Sequence, residues 1–458
     1  MKANQKIKTS NHFHFIGIGG VSMSGLAKYF LAKGFSVSGS DNAKSQATIE
    51  LQKLGAKIYI GHNELNVKKG QTIVYTSAIN NTNPELKMAR QLKLKILKRS
   101  EVLSKILKEY KNSICVSGSH GKTTCSAMLN CVFNHLNLSP TCFIGGNAKS
   151  VGNFMLGKSD IVVAEACEYQ RNFLDLESKY KIVLNIDNDH LESFGNEENM
   201  KSDFLSFVKN SIAIINIDDV NSNHLKGKQT ITFGKSVNAK YRAVNLKKQK
   251  NGYKFTLLKE NKKIGRIKLG VLGEHNVYNA LAVVSLCMEL GLSFKGVKGG
   301  LKGFRSVERR MEYMGKLAKS KVYCDYAHHP NEIIATMKAM SLGGKKDLII
   351  FQPHTYSRTR LLLWDFVEAL KPMKNVVIYK TYPAREQYDY SGSESKLCNA
   401  LALKSAHVPT LALNEKELNA VISLNKKVKR IVVLGAGDLY YFVKKMVEEG
   451  KNSQNKKT

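Results

Sequence analysis

The sequence predicts an α/β protein of three domains, because short apolar strands alternate with helical patterns along its 458 residues. The strand–loop–helix units that carry this prediction begin at residues 13, 114 and 321. A chain of this length makes about three domains, each able to bury a core. We predict domains at 1–110, 111–308 and 309–450, followed by a frayed polar tail at 451–458.

The composition is that of a globular protein, with 43% hydrophobic and 24% charged residues. No apolar run approaches the roughly 20 residues needed to span a bilayer, and no signal-type apolar segment follows Met1. The 8 cysteines include no C-x-x-C pair and mostly lie in apolar contexts. We therefore expect reduced thiols in a cytoplasmic protein, rather than disulfides or a zinc site.

The net charge of +34 favours attraction of small polyanions such as nucleotides. Specific nucleic-acid binding is not expected. Lysine is spread over every segment, and aromatic residues are not interleaved with it as stacking platforms would be.

A glycine-containing turn in the first domain predicts a close approach of backbone to a ligand. Strands are predicted in this domain at 13–18, 36–41, 57–60 and 72–77, and helices at 23–31 and after Asn83-Pro84. The second strand ends in Asp41, 22 residues after Gly19, as in βαβ units that bind a diphosphate and a ribose. Because Ser22 replaces the third glycine of G-x-G-x-x-G, a dehydrogenase, a diphosphate-sugar site and a simple tight turn all remain open.

The segment Gly118-Ser-His-Gly-Lys-Thr-Thr124 in the second domain predicts a phosphate-binding loop. A strand at 114–116 precedes it, and a helical pattern at 127–136 follows it. Backbone N–H groups at such a turn favour phosphate, Lys122 adds a positive charge, and Thr123 occupies the position of a magnesium-binding hydroxyl. The general pattern G-x-x-x-x-G-K-[ST] would place glycine where Val116 stands, so the motif here is a shorter form.

Acidic residues and a histidine follow two later strands of the second domain. Strands are predicted at 161–166, 180–186 and 213–216, then as a hairpin region at 229–272 turning at Asn251-Gly252, before a helix at 276–286. Glu165, Glu168, Asp187 and His190 lie at the ends of the first two strands. In a parallel sheet these ends share one edge, so we expect a magnesium site there; a loop histidine bonded to an aspartate is the alternative for His190.

The third domain repeats the α/β pattern with polar residues at its strand ends. Its strands are predicted at 321–325, 347–351, 375–379 and 430–434. Each is followed by a polar cluster, of which 325–330 and 352–358 are rich in histidine. Adjacent histidines suggest zinc, but a third ligand at metal spacing is missing from the sequence pattern.

Six motifs together resemble the Mur ligases of peptidoglycan synthesis; they lie at 12–27, 118–124, 165–169, 273–280, 325–330 and 352–359. The resemblance extends from His12 to about Asp438. It implies an N-terminal Rossmann-like domain for a UDP-sugar and a central P-loop ATPase with a parallel sheet and a small β-hairpin region. The third domain would be a C-terminal Rossmann-like α/β domain that closes over ATP and an amino acid.

The implied reaction is ATP-dependent amide formation. A substrate carboxylate attacks the γ-phosphate to give an acyl phosphate, and an amine then displaces phosphate. The motifs are most similar to those of members that add L-alanine to UDP-N-acetylmuramate. This implies ATP and Mg²⁺ as cofactors and these small molecules as substrates. From the composition and hydropathy we expect no nucleic-acid partner and no membrane insertion, and the oligomeric state stays open.

The resemblance also assigns roles to individual residues. The catalytic residues would be Lys122, His190, Arg310 and His328. Those binding ATP would be Gly118, Ser119, His120, Gly121, Lys122, Thr123, Thr124, Asn276, Asn279, Arg310 and Asp325. Those binding the UDP-sugar would be Gly17, Gly19, Gly20, Ser22, Asp41 and Ser77. The amino acid would contact His328, His329, His354 and Arg358, and the metal Thr123, Glu168 and His190.

The sequence leaves three alternative functions open: a recycling ligase that adds a tripeptide to the same sugar nucleotide, an NAD-dependent oxidoreductase built on the first domain, and a non-catalytic nucleotide-binding scaffold.

Three positions depart from the common family pattern. Cys167 and Gln170 replace carboxylates near the predicted metal, and Arg385 replaces a glycine in the third domain.

Overall fold

Three sheets organise the chain in the computed structural model, which describes residues 11–148, 152–187, 194–384, 386–425 and 427–455. The described residues up to Gly270, with Asn276–Arg305, form one compact unit that contains two of the sheets. Val271–His275 and the chain from Ser306 onward form a second unit that contains the third sheet. Within these ranges, no helix is long and apolar enough to cross a membrane.

The first sheet is fully parallel, with strand order β3-β2-β1-β4-β5. Its strands are β1 (His12–Ile16), β2 (Ser36–Asp41), β3 (Lys57–Ile60), β4 (Thr72–Tyr75) and β5 (Lys95–Lys98). The surrounding helices are Val21–Ala32, Gln46–Lys53, Pro84–Gln91 and Arg99–Lys108, with a 3₁₀ turn at Glu64–Asn66. Asn83 caps the helix that Pro84 opens, as predicted.

The second sheet has ten strands, in the order β15-β14-β13-β12-β11-β10-β6-β9-β7-β8. They are β6 (Asn112–Ser117), β7 (Thr141–Ala148), β8 (Gly152–Met155), β9 (Ile161–Glu165), β10 (Tyr180–Val183), β11 (Ile212–Asn216), β12 (Gln229–Gly234), β13 (Tyr241–Gln249), β14 (Gly252–Lys259) and β15 (Lys262–Leu269). Pairing is parallel from β7 to β13, and antiparallel for β7–β8, β13–β14 and β14–β15. The accompanying helices are Lys122–His135, Glu197–Val208, His275–Glu289 and Phe294–Gly303, with a 3₁₀ segment at Tyr169–Asp175.

The third sheet has the order β16-β17-β21-β18-β19-β20, parallel except for β16–β17. Its strands are β16 (Glu312–Leu317), β17 (Ser320–Asp325), β18 (Asp347–Phe351), β19 (Val376–Tyr379), β20 (Thr410–Ala412) and β21 (Arg430–Leu434). Its helices are Pro330–Met340, Tyr356–Leu361, Leu363–Leu370, Glu394–Lys404, Glu415–Leu424 and Leu439–Asn455, with a 3₁₀ turn at Tyr390–Gly392. Successive residues of β18 alternate between two apolar clusters: Ile349 and Phe351 belong to one, and Leu348 and Ile350 to the other. Because side chains alternate between the faces of a strand, both faces of this sheet are covered.

The α/β class, the parallel sheets and the hairpin after residue 249 are confirmed, whereas several element bounds differ. Strand β1 ends at Ile16 instead of 18, because Gly17 begins the turn with a φ angle of +83°. Strands β5, β7, β8, β16 and β20 were not predicted. The last helix continues to Asn455, five residues into the segment 451–458, and no proline or glycine follows Gly450 to stop it; the frayed tail stays a prediction. The predicted domain boundaries stay predictions.

Candidate active site

The predicted phosphate loop connects β6 to helix Lys122–His135. Gly118 and Gly121 have φ angles of +131° and +89°, a backbone region that favours glycine. A Cβ atom on Gly121 would lie 2.6 Å from the side-chain oxygen of Asn279. Glycine at 121 is therefore required by the turn and by the close approach of helix His275–Glu289.

The carboxyl end of β10 anchors the middle of the loop. The backbone N–H of Ser119 donates to the carbonyl of Asn185 (3.1 Å), and that of His120 donates to Asn185 Oδ1 (2.8 Å). The Ser119 hydroxyl accepts from the backbone N–H of Asp187 (2.8 Å), and His120 Nε2 lies 3.2 Å from Asp187 Oδ2. The phosphate loop and the polar residues that follow β10 therefore meet at one edge of the second sheet.

Lys122 makes the central polar contacts of the loop. Its ammonium donates to the carbonyl oxygens of Gly118 (2.6 Å) and Ser119 (3.2 Å), and lies 2.9 Å from each carboxylate oxygen of Glu168. Burial favours the neutral amine, but the negative charge of Glu168 outweighs it and raises the pKa of Lys122. The side chain is therefore a cation held in place beside the phosphate loop.

Glu165 is the carboxylate that contacts the predicted magnesium-binding hydroxyl. Thr123 Oγ1 donates to Glu165 Oε2 (3.1 Å), and the backbone N–H of Gly145 donates to Glu165 Oε1 (2.5 Å). A Cβ atom on Gly145 would overlap this carboxylate. Glu168 is only 2% exposed, and Thr124 is buried in the first turn of the helix. Two carboxylates and a hydroxyl beside the loop form the kind of oxygen donor set that Mg²⁺ prefers.

Asn276 and Asn279 are buried in helix His275–Glu289, and Asn279 Nδ2 donates to Asn276 Oδ1 (3.0 Å). Because the side-chain oxygen of Asn279 lies beside Gly121, the pair is adjacent to the phosphate loop. The contact with adenine that the resemblance implies for this pair stays a prediction.

The glycine turn of the first sheet is closed by Asp41. The backbone N–H of Gly19 donates to Asp41 Oδ2 (2.8 Å), and a Cβ atom on Gly19 would lie 2.9 Å from that oxygen. Gly20 precedes helix Val21–Ala32 and has no side chain that could cap it. The N–H groups at this helix end favour an anion, which suits the predicted diphosphate. The predicted ribose contact of Asp41 remains untested.

Two serines predicted to contact the UDP-sugar have partners outside the glycine turn. Ser22 Oγ accepts from Arg99 Nη1 (2.9 Å), and Ser77 Oγ accepts from Asn172 Nδ2 (3.5 Å). Sequence reasoning missed Arg99, because the strand before it, Lys95–Lys98, has only two apolar residues. The one feature of the sequence that could have pointed to Arg99 as a site residue is its position as a basic residue directly after this short strand.

In the second unit, Asp325 stabilises the backbone around the end of β17. It is 5% exposed and accepts from the backbone N–H groups of Met311 (2.7 Å) and Ala327 (2.9 Å). Burial raises the pKa of Asp325, while the positive charge of Arg310 opposes that shift. Arg310 itself lies over the ring of Tyr326 at 5.0 Å. Both residues are thus placed together, and their predicted contacts with ATP stay predictions.

Three of the residues predicted to bind the amino acid converge. The rings of His328 and His354 lie 5.7 Å apart, and Arg358 Nη1 lies 3.3 Å from His354 Nδ1. His328 Nδ1 lies 3.2 Å from Glu332 Oε2 and 3.0 Å from the carbonyl of Tyr326. The cluster offers one guanidinium and two imidazoles, which suits a ligand carrying a carboxylate.

His329 is built into the structure differently from its neighbour. It is 6% exposed and caps helix Pro330–Met340, where Nδ1 accepts from the backbone N–H of Asn331 (3.3 Å). Its capping contact gives it a structural function, and its predicted contact with the amino acid remains untested. Two further positions, His190 and Arg385, lie outside the described residues.

Sequence profiles of one family match the chain in three consecutive segments. Residues 12–111 match the Mur ligase family catalytic domain, and residues 116–287 match the Mur ligase middle domain. Residues 309–438 match the Mur ligase glutamate ligase domain.

Individual relatives extend over nearly the whole chain. The UDP-N-acetylmuramate–L-alanine ligase of Acetivibrio thermocellus is 41% identical over 94% of this chain and 94% of its own length. The crystal structure of UDP-N-acetylmuramate–alanine ligase from Thermotoga maritima has a TM-score of 0.84 and 30% identity, covering 96% of this chain and 99% of its own. A murein peptide ligase from Psychrobacter arcticus has a TM-score of 0.71, with the same coverage and 20% identity, which shows a shared fold alone. The chain therefore belongs to the Mur ligase family.

Proposed function

We propose that this chain joins the amine of L-alanine to the carboxylate of UDP-N-acetylmuramate and converts ATP to ADP and phosphate. The observation that carries this proposal is the 41% identity, over 94% of the chain, to a ligase named for that reaction. The phosphate loop and its lysine supply the part of the chemistry that every ATP-dependent member of such a family requires.

Lys122 and the loop backbone are the groups we assign to the phosphates of ATP. The attack of the substrate carboxylate on the γ-phosphate forms an acyl phosphate and breaks the bond to the β-phosphate oxygen, so negative charge moves onto ADP. A preorganised cation and backbone N–H groups stabilise such charge without reorganisation. Glu168 holds the Lys122 ammonium beside the loop, so the cation is in place before ATP binds.

The residues beside the loop fit Mg²⁺. We assign it to Thr123, Glu168 and His190, and Glu165 is the carboxylate already bonded to the Thr123 hydroxyl. Bound there, Mg²⁺ would neutralise charge on the ATP phosphates. Imidazole is a less usual magnesium ligand than oxygen, so the carboxylates carry most of this assignment.

The amine step is assigned to the histidine–arginine cluster of the second unit. Arg358 would bind the carboxylate of L-alanine through its planar guanidinium. The amine attacks the acyl carbon, gives a tetrahedral intermediate, and expels phosphate as the amide forms. His328 is our candidate for the group that accepts the amine proton, because Glu332 and the Tyr326 carbonyl hold its Nδ1 in place.

The proposed substrates are small molecules. We place the protein in the cytoplasm, without a nucleic-acid partner and without insertion into a membrane. The recycling ligase is the nearest alternative, but two solved ligases of that kind share 20% and 25% identity with this chain, against 41% for the relative named for L-alanine addition. An NAD-dependent oxidoreductase would leave the phosphate loop and the third sheet without a use. A non-catalytic scaffold would retain ATP binding without turnover.

The direct test is mass spectrometry of the product. The purified protein, incubated with Mg-ATP, UDP-N-acetylmuramate and L-alanine, should yield the amide-linked sugar nucleotide together with ADP. Omitting any one of the three substrates should abolish the product. Bound ATP without any product in the full mixture would instead support the scaffold.

A further inference from the structure

Arg99 is a cation at the carboxyl edge of the first sheet that the proposed chemistry has not used. It is the first residue of helix Arg99–Lys108, directly after β5. Its Nη1 donates to Ser22 Oγ at 2.9 Å, although the two residues are 77 positions apart in the chain. The guanidinium therefore reaches from the end of the edge strand to the first turn of helix Val21–Ala32, which directly follows the glycine turn.

The charge of Arg99 is poorly balanced by the protein. The side chain is partly buried, and burial lowers the pKa of Arg99, with Cys167 and Asp175 opposing that shift. In the part of the chain that the structure describes, Arg99 forms no ion pair, and its hydrogen bond goes to the neutral Ser22 hydroxyl. Asp175 instead accepts from the hydroxyl of Ser100 (2.6 Å). Removing a cation from water without an anionic partner is unfavourable, so this position suits an anionic ligand.

The neighbouring backbone favours an anion at the same place. Ser22 lies in the first turn of helix Val21–Ala32, and both Gly20 and Ser22 are exposed. No acidic side chain occurs in that first turn. The N–H groups of the turn and the Arg99 guanidinium therefore present positive charge towards one accessible spot.

We propose that Arg99 binds the diphosphate of the sugar nucleotide and makes the site selective for nucleoside diphosphates over monophosphates. The guanidinium pairs with phosphate oxygens while the helix N-terminus and the glycine turn bind the remaining ones. This inference rests on the proposed function, since it concerns the substrate of the same site.

Binding of UDP, UMP and uridine by titration calorimetry, in wild type and Arg99→Gln, tests this assignment. A charge-assisted contact of this kind contributes on the order of 10- to 100-fold in affinity. Arg99→Gln should lower the affinity for UDP by that factor and the affinity for UMP by less. The affinity for uridine should be unchanged. Arg99→Lys should recover part of the loss, because it keeps the charge but not the planar fork.

Arg90→Gln is the matched control, since Arg90 is an exposed arginine of helix Pro84–Gln91 in the same domain, and its side chain hydrogen-bonds only Asn81 among the described residues. It should bind all three ligands like wild type. ADP affinity should be unchanged in Arg99→Gln, and its thermal unfolding midpoint should be no lower than that of wild type, because a poorly balanced charge has been removed; together these results establish that the variant is folded.

Three outcomes would overturn the inference. An equal loss for UDP, UMP and uridine would mean that Arg99 supports the fold of the site. Unchanged UDP affinity with a reduced kcat would place Arg99 at the reacting carboxylate. If the wild type bound none of these ligands yet bound ADP, the proposed sugar-nucleotide substrate itself would fail, and the assignment of Arg99 with it.

Discussion

The ammonium nitrogen of Lys122 lies 2.9 Å from both carboxylate oxygens of Glu168, across 46 residues of sequence. The two side chains are 16% and 2% exposed. This pair joins the phosphate loop to the segment that follows β9, and it defines where the loop's positive charge is held.

Replacing Lys122 by methionine should remove turnover and also destabilise the protein. Phosphate release should fall on the order of 100- to 1,000-fold, because a preorganised cation is lost. The variant also leaves the buried Glu168 carboxylate without its partner, which costs about 3 kcal/mol. Lys108→Met removes a more exposed lysine from its pair with Glu177 and should change stability by less than about 1 kcal/mol. Retained phosphate release in Lys122→Met would be incompatible with the role given to this residue.

Gly121→Ala should impair ATP use more than its backbone strain alone explains. Gly121 and Gly34 have similar φ angles, +89° and +83°, so alanine at either position costs about 1 kcal/mol of stability. Only at Gly121 would the new Cβ meet a neighbour, the Asn279 side chain at 2.6 Å; at Gly34 nothing lies within 4 Å. We expect a raised KM for ATP in Gly121→Ala and a normal KM in Gly34→Ala. Equal KM values in both variants would show that the loop tolerates the displacement.

Arg358→Lys should weaken L-alanine binding selectively. Lysine keeps the charge but cannot form the bidentate contact with a carboxylate, so we expect KM for L-alanine to rise roughly 10-fold or more. KM for UDP-N-acetylmuramate should stay unchanged. Arg360→Lys is the control from the same helix, because Arg360 is 53% exposed and pairs with Asp389. If both variants behaved alike in steady-state kinetics, Arg358 would have no specific contact with the amino acid.

Glu85 should make stability depend on acid pH. This carboxylate is fully buried and accepts from Ser40 Oγ (2.5 Å) and Asn66 Nδ2 (2.6 Å). Burial alone would raise its pKa, but interactions with His14, Ser40 and Asn66 lower it to about 2. The folded-state pKa is thus below the ordinary value of 4.5. The ionised group therefore stabilises the fold above pH 4.5, by roughly 3 kcal/mol, and this contribution is lost as pH falls towards 2.

Calorimetric unfolding midpoints of wild type and Glu85→Gln between pH 7 and pH 3 measure this contribution. The difference in unfolding midpoint between the two proteins should be largest near neutral pH and should become smaller below pH 4.5. Glu64→Gln, which changes an exposed carboxylate nearby, should show no such narrowing. A difference in unfolding midpoint that stayed constant across this pH range would mean that Glu85 has the same pKa in the folded and the unfolded chain.

Local features of the site could be predicted from the sequence, whereas contacts between distant segments could not. The phosphate loop was recognisable because its glycines, Lys122 and flanking elements lie within a few residues of one another. The contact between Glu165 and Gly145 depends on the parallel pairing of β7 with β9, and β7 was not predicted. Arg99 reaches Ser22 only because β5 lies beside β4 at the edge of the first sheet. Strand order is set by packing of the whole sheet, which the periodicity of single strands does not report.

The identity of the amine that this ligase accepts separates L-alanine addition from peptide recycling. Phosphate release from Mg-ATP should be measured with UDP-N-acetylmuramate and either L-alanine or the recycled tripeptide as the amine. The proposed function predicts release that requires both the sugar nucleotide and L-alanine, and little or none with the tripeptide. Release with the tripeptide and not with L-alanine would contradict it and would assign the chain to peptide recycling.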